Sequence, residues 1–312
     1  GSEMCIRDRE YHVDGFHLIG GNLPMTAIVQ DNMLSRTKIF YTGFDANICT
    51  IQRKYKNLYV YKEEYMYPAR RVLNHFNANM REFIDQQRKQ GNKYGFVNFI
   101  TSNNGFTLAD LFMYNDRHNE ANGEDNLDGN SWNFSNNYGV EGTTRKHYIN
   151  KLRKLKWRNS MAMLFLAQGV PLVWSGDEIG NSQQGNNNAY CQDNPVGWVN
   201  WKNEKTHRRE IRFLEQLAQF RREHPIVANE MPFQFSDYRS YGSPDLSFHG
   251  ESAWILEPSE GRMALGMMYN GAYSTDERYT EDVYVAYNFY SAASTLALPK
   301  LEKDKHWYLV LD

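Results

Sequence analysis

The side chains with chemistry to offer are acids and amides. Asp14 and Asp45 stand near the ends of two apolar segments, Asn103 and Asn104 follow another, and Asp177 and Glu178 follow the last. Carboxylates can attack, accept a proton or donate one, whereas amides only hydrogen-bond, to a ligand hydroxyl or to the chain itself. Asn186, Asn187 and Asn188 form a second amide run. All these amides also read as turn chemistry, because asparagine tolerates left-handed backbone and Asn104-Gly105 is a turn pair. His17 reads either as a donor to a polar ligand or as a satisfied polar residue. The acidic stretch 120–128 lacks the ligand spacing of a Ca²⁺ loop and reads as solvated. There is no Gly-rich phosphate loop and no His-Glu-x-x-His helix, so no metal and no cofactor are expected.

These residues need elements to hold them. Five segments read as strands: 11–18, 38–42, 58–61, 94–101 and 170–174. Helical periodicity lies between and after them, at 23–36, 63–90, 146–168 and 205–222. In the long helix 63–90, Val72, Leu73, Phe76, Met80, Phe83 and Ile84 share a face. The stretch 115–144 is polar and without periodicity, a length usually reserved for functional or disordered loops. From about residue 233 the pattern turns to short strands. Strand alternating with helix up to about residue 225 implies parallel βαβ units and an α/β fold. A closed barrel of this kind needs eight strands.

The bulk composition excludes more than it assigns. The 312 residues carry a formal net charge of −2, so no global basic field draws nucleic acid or an anionic membrane. Neither is expected as a partner. Cys5, Cys49 and Cys191 are far apart and odd in number, which suits a reducing compartment, and no apolar run is long enough to span a membrane. Aromatic residues make up 14% of the chain, enough to supply both a core and a surface on which sugar rings stack. Residues 1–9 have no periodicity and read as a non-native or disordered leader.

Five stretches, in order, carry a resemblance. They are YHVDGFHLIG at 11–20, FVNFITSNNGFTLADLFMYN at 96–115, the NEANGEDNLDG run with YGVEG within 119–142, GDEIGNSQQGNNNAYCQDNPVGWVNW at 176–201, and the FHG, AW and YN pairs and triplets of the C-terminal part. Together they resemble glycoside hydrolase family 13, the α-amylase family, in its isoamylase and glycogen-debranching branch. The resemblance implies strands four to eight of a (β/α)8 TIM barrel over 10–228, followed by an antiparallel, all-β C-terminal domain over 229–312. It also implies that a longer natural chain would precede Glu10.

Retaining hydrolysis of this type needs two carboxylates roughly 5–5.5 Å apart, with a third stabilising the oxocarbenium-like state. The positions that match the family's three are Ile19, Thr42 and Asn104, with Asn103 where the family has histidine and His17 where it has arginine. The resemblance therefore implies a cytoplasmic protein of α-glucan metabolism with no catalytic residue of its own. It would be a pseudoenzyme or fragment whose sugar contacts fall to His17, Asn103, Asn104, Asp177, Glu178 and Asn186, Asn187 and Asn188. Two alternatives are an active α-1,6-glucosidase and an interaction module for a full-length glucan enzyme. Half a barrel leaves an open edge and an apolar inner wall, so a homodimer covering them is expected.

Overall fold

The computed structural model describes residues 2–51, 56–256, 262–276, 278 and 280–311. Its first sheet is built from β1 (Gly15–His17), β2 (Lys38–Tyr41), β3 (Leu58–Tyr61), β4 (Gly95–Asn98) and β5 (Val170–Pro171), in that spatial order and all parallel. Helices α2 (Met25–Gln30), α3 (Ala46–Thr50), α4 (Met66–Asn74), α5 (Met80–Gln87), α6 (Leu108–Leu111) and α7 (His147–Phe165) fill the crossovers, and α8 (Arg208–Glu223) follows β5. A separate antiparallel sheet of β6 (Leu246–His249), β7 (Ala264–Tyr269) and β8 (Val283–Asn288) closes the chain. The architecture is part of a TIM-type barrel with a C-terminal β-sheet, as the resemblance implied, and its parallel βαβ units are those of the alternating pattern.

The period-two alternation of the strands sorts the core. Ile39 and Leu58 pack with Met25, Ile28, Val29, Leu34 and Ile48, beneath α2 and α3. The neighbouring residues Phe40, Tyr59 and Tyr61 point to the other face and join Val97, Phe99, Met66 and Leu172. That inner face partly covers itself: rings stack at 5.4 Å for Phe40 with Tyr59 and 4.8 Å for Tyr61 with Phe99. Val97 and Phe99 are consequently buried, while Phe40, Tyr59, Tyr61 and Leu172 are half-buried and His17 is exposed. The largest cluster joins α4 to α8 with the antiparallel sheet, through Val72, Phe83, Trp157, Leu217, Met267 and Tyr269. Gln87 ties the two sheets' layers together by donating to the Tyr287 hydroxyl at 2.6 Å.

Three expectations change. The helix expected over 63–90 is two helices, because His75 (φ 62°) and Asn77 (φ 39°) adopt left-handed backbone and Asn79 caps α5 by accepting from the N–H of Arg81 and Glu82. The asparagines at 74, 77 and 79 were a break signal inside an apolar stripe that reads as continuous. The strand expected over 11–18 pairs only at Gly15–His17, since His12 turns left-handed (φ 54°). Residues 2–9, read as a non-native or disordered leader, lie in helix α1 (Ser2–Tyr11), whose Ile6 and Tyr11 are exposed. The loop 115–144 is neither disordered nor featureless: it contains a 3-10 turn at Glu120–Asn122 and a dense set of side-chain hydrogen bonds. Among the described residues, no helix is long and apolar enough to cross a membrane.

Candidate active-site rim

The parallel strands all point their C-terminal ends toward one rim, where ligands of such sheets bind. Ile19 lies two residues past β1 and is 79% exposed. Thr42 directly follows β2, on the adjacent strand, and is exposed. Asn103 and Asn104 lie past β4 and are exposed, with the N–H of Asn104 donating to the Ser102 hydroxyl at 3.2 Å. His17 ends β1, its ring 4.1 Å from that of Tyr61, and partial burial lowers its pKa. The three positions of interest thus share the rim, and none presents a carboxylate.

The four acids named from the sequence lie elsewhere or hold loop backbone. Asp14 precedes β1, at the opposite end of the sheet, where its backbone carbonyl accepts from the Lys38 N–H. Asp45 caps α3, accepting from the Ile48 N–H at 2.9 Å. Glu178 is half-buried and accepts from the Gly176 N–H at 2.8 Å. Asp177 is 1% exposed: one oxygen accepts from the Leu108 N–H at 2.8 Å and the other from the Thr101 hydroxyl, while its backbone carbonyl accepts from the Trp157 indole. Burial pushes its carboxyl up to about 7 against the pull of those donors. It pins the loop after β4 to the turn after β5 rather than facing the rim.

The amide run is spent on the scaffold. The Asn187 amide donates to the Asn130 carbonyl at 2.7 Å and to the Asn133 side chain at 3.0 Å, and its oxygen accepts from Asn119 at 2.9 Å. Asn186 donates to Asn122, and Asn188 donates to the Asp128 carboxylate at 2.8 Å. Asp128 also accepts from Asn122. Among the described residues, no three His, Cys, Asp or Glu side chains gather to hold a metal ion.

Three further groups were not singled out from the sequence. Asp110, fully buried and pushed up to about 6 by burial, accepts from the Ser182 hydroxyl and the N–H groups of Gln183 and Gly185. The Thr107-x-x-Asp110 spacing, a helix-start box, was the available signal. Arg70 is fully buried and donates to the carbonyls of Ile100 at 2.8 Å and Asn133 at 3.1 Å. The third group is aromatic: Trp132, Tyr190, Trp198 and Trp201, on the loops after β4 and β5, are between 55% and 81% exposed. Trp132 stacks on Phe134, which in turn carries the Arg71 guanidinium at 5.2 Å. Aromatic residues inside polar, turn-rich stretches were the hint.

The chain is 34% identical over 248 residues to the glycogen debranching enzyme of Pectobacterium atrosepticum, a match covering 72% of this chain and 37% of that one. It is 37% identical over 205 residues to chloroplastic isoamylase 1 of Arabidopsis thaliana, covering 65% and 24%. With the Mycobacterium tuberculosis glycogen operon protein GlgX homolog it shares 44% identity over 144 residues, covering 46% and 20%. The chain belongs to glycoside hydrolase family 13, in its isoamylase and glycogen-debranching branch. It spans less than two-fifths of the length of these α-amylase-family relatives. No family model matches it. Among solved structures it is similar to a pullulanase from Anoxybacillus sp. LM18-11 complexed with maltotetraose, with a TM-score of 0.59 and 15% identity over 91% of this chain and 39% of that one. A pullulanase from Paenibacillus barengoltzii, in complex with maltohexaose and α-cyclodextrin, gives a TM-score of 0.57 at 16% identity over 97% and 45%. At such identity these two likenesses speak for the α-amylase-type barrel alone.

Proposed function

We propose that this chain is a glucan-binding member of the α-amylase family that has lost hydrolysis, acting in cytoplasmic α-glucan metabolism. One observation carries the reading: Ile19, Thr42 and Asn104 stand at the rim where the family's reacting carboxylates are expected, and the neighbouring acids Asp110 and Asp177 are buried and fully occupied by loop contacts. A retaining site works as a unit, and losing one member commonly costs on the order of 10⁴–10⁶ in turnover. The exposed rings of Trp132, Tyr190, Trp198 and Trp201, with the free amides of the rim loop, supply the stacking faces and donors that an α-glucan requires. Incubation with pullulan and glycogen is expected to release no reducing ends above a blank. Turnover by pure protein that Asp177→Asn or Glu178→Gln abolishes would reinstate the reading as an active α-1,6-glucosidase. Maltoheptaose is expected to bind at roughly millimolar affinity, read by calorimetry.

The same reading includes a homodimer. The chain exposes 18066 Å², against roughly 13,500 Å² for a compact monomer of its mass. The excess is several times the ~800 Å² that each partner gives to a standard interface. Among the described residues, strands β1 and β5 have no partner on their outer sides, and all five strands run the same way. A second copy related by a two-fold axis along the strands would set β1 of one beside β5 of the other, keep the pairing parallel and cover the half-buried Phe40, Tyr59, Tyr61 and Leu172. Light scattering at micromolar concentration is expected to give twice 36.6 kDa, and Tyr61→Glu is expected to give the monomer.

A further inference from the structure

The rim is not the only place where aromatic rings stand in water. Ahead of β6, in the loop 236–242, Asp237 folds the chain back on itself. Its carboxylate accepts from the N–H of Tyr241 at 2.7 Å and of Gly242 at 2.9 Å, and from the Tyr273 hydroxyl at 2.5 Å. Tyr273 lies in the 3-10 turn Gly271–Tyr273 between β7 and β8 and is buried. Both loop tyrosines pack against its ring, Tyr238 at a centroid distance of 4.8 Å and 54°, Tyr241 at 5.0 Å and 69°. Yet they stay 44% and 48% exposed. The Arg239 guanidinium lies 5.7 Å from the Tyr238 ring centroid and 5.9 Å from that of Tyr273.

A loop with this many internal contacts holds its exposed rings in set orientations, so a ligand that stacks on them does not have to order them first. Two tilted ring faces, a guanidinium and phenolic hydroxyls match the apolar face and the hydroxyl edge of a pyranose. The exposed surface is that of two tyrosines and an arginine, well short of the ~800 Å² that a protein partner would need. It is the size of one or two sugar units.

We infer that the loop 236–242 is a second α-glucan contact, on the antiparallel sheet and separate from the rim, which holds one or two glucose units of a long chain. The inference rests on the proposed glucan reading. The test is affinity electrophoresis of the full chain through glycogen, comparing wild type, Tyr238→Ala/Tyr241→Ala, Arg239→Ala and the rim variant Trp132→Ala/Tyr190→Ala. Loss of the two rings is expected to weaken retardation roughly tenfold and loss of the guanidinium about threefold. Thermal melts check folding, and Arg239→Ala, which leaves every ring in place, serves if the double variant melts early. Equal retardation of wild type and both loop variants overturns the inference and leaves the rim reading standing. Weakening by the loop variants but not by the rim variant upholds the inference and removes the rim from glucan binding. Loop variants that bind glycogen normally but change mass in light scattering would assign the loop to protein contact, which also overturns it. A wild type that passes through glycogen without retardation overturns it as well, and maltoheptaose titration then judges the rim alone.

Discussion

The rim and the scaffold beside it carry the same residue types and treat them differently. At the rim, Asn103 and Asn104 stand exposed, as do Ile19 and Thr42. In the scaffold, Asn119 and Asn187 are fully buried and hydrogen-bonded to each other, and Asp110 and Asp177 are buried among donors. The two regions obey different constraints. A buried amide or carboxylate without its partner costs the fold its full desolvation penalty, so those positions are held by stability. An exposed reacting group costs the fold nothing when it is replaced, so a rim can lose its chemistry while the framework around it stays intact.

That comparison breaks most readily at Arg70. Truncation by Arg70→Ala would leave the carbonyls of Ile100 and Asn133 unpaired in the interior. The expected loss is about 3 kcal/mol of stability, read from urea denaturation, and a loss within error would remove the scaffold half of the contrast. Asn187→Ala leaves the Asn130 carbonyl and the side chains of Asn119 and Asn133 short of a partner. It should cost about 2 kcal/mol, with hydrogen exchange quickening across the loops 115–144 and 181–192.

Acidity gives a smaller and more selective probe. The carboxyls of Asp177 and Asp110 are raised to about 7 and about 6, well above their unfolded values. The folded state therefore holds more protons than the unfolded one between pH ~4 and those values. Their contribution falls as pH rises through that window and levels off above it, by at most ~1.4 kcal/mol per unit for each group. Asp177→Asn keeps an acceptor for Leu108 and offers a donor to Thr101 without the charge. Denaturation midpoints measured from pH 5 to 8 should show the variant gaining on the wild type as pH rises. A constant difference would mean that Asp177 keeps an ordinary carboxylate pKa.

The smallest effects belong to the rim. Ile19→Asp and Asn104→Asp should each change stability by no more than about 0.5 kcal/mol, because both side chains stand in solvent. Neither alone should bring measurable turnover on pullulan, since one carboxylate does not replace three. A large stability loss from either would show that the rim is bound by the same packing constraints as the scaffold.

Chain order and local pattern alone sufficed for much of this protein. Leu58–Tyr61 forms a strand over the residues where apolar β-formers run together, and α7 and α8 follow their apolar stripes to within a few residues. The positions Ile19, Thr42 and Asn104 were named by the family resemblance, and each follows a strand of the parallel sheet. What each polar side chain does was decided only by the tertiary structure. Asn186, Asn187 and Asn188 read as sugar donors until their partners are seen 54 to 68 residues away. Asp177 reads as a rim acid until Thr101, 76 residues before it, closes over its oxygen. A propensity is a property of a few neighbouring residues, whereas a hydrogen bond's worth depends on whether a distant segment arrives to exclude water and supply the partner. That arrival is written in the packing of β4, β5 and their loops, and no short stretch of the chain contains it.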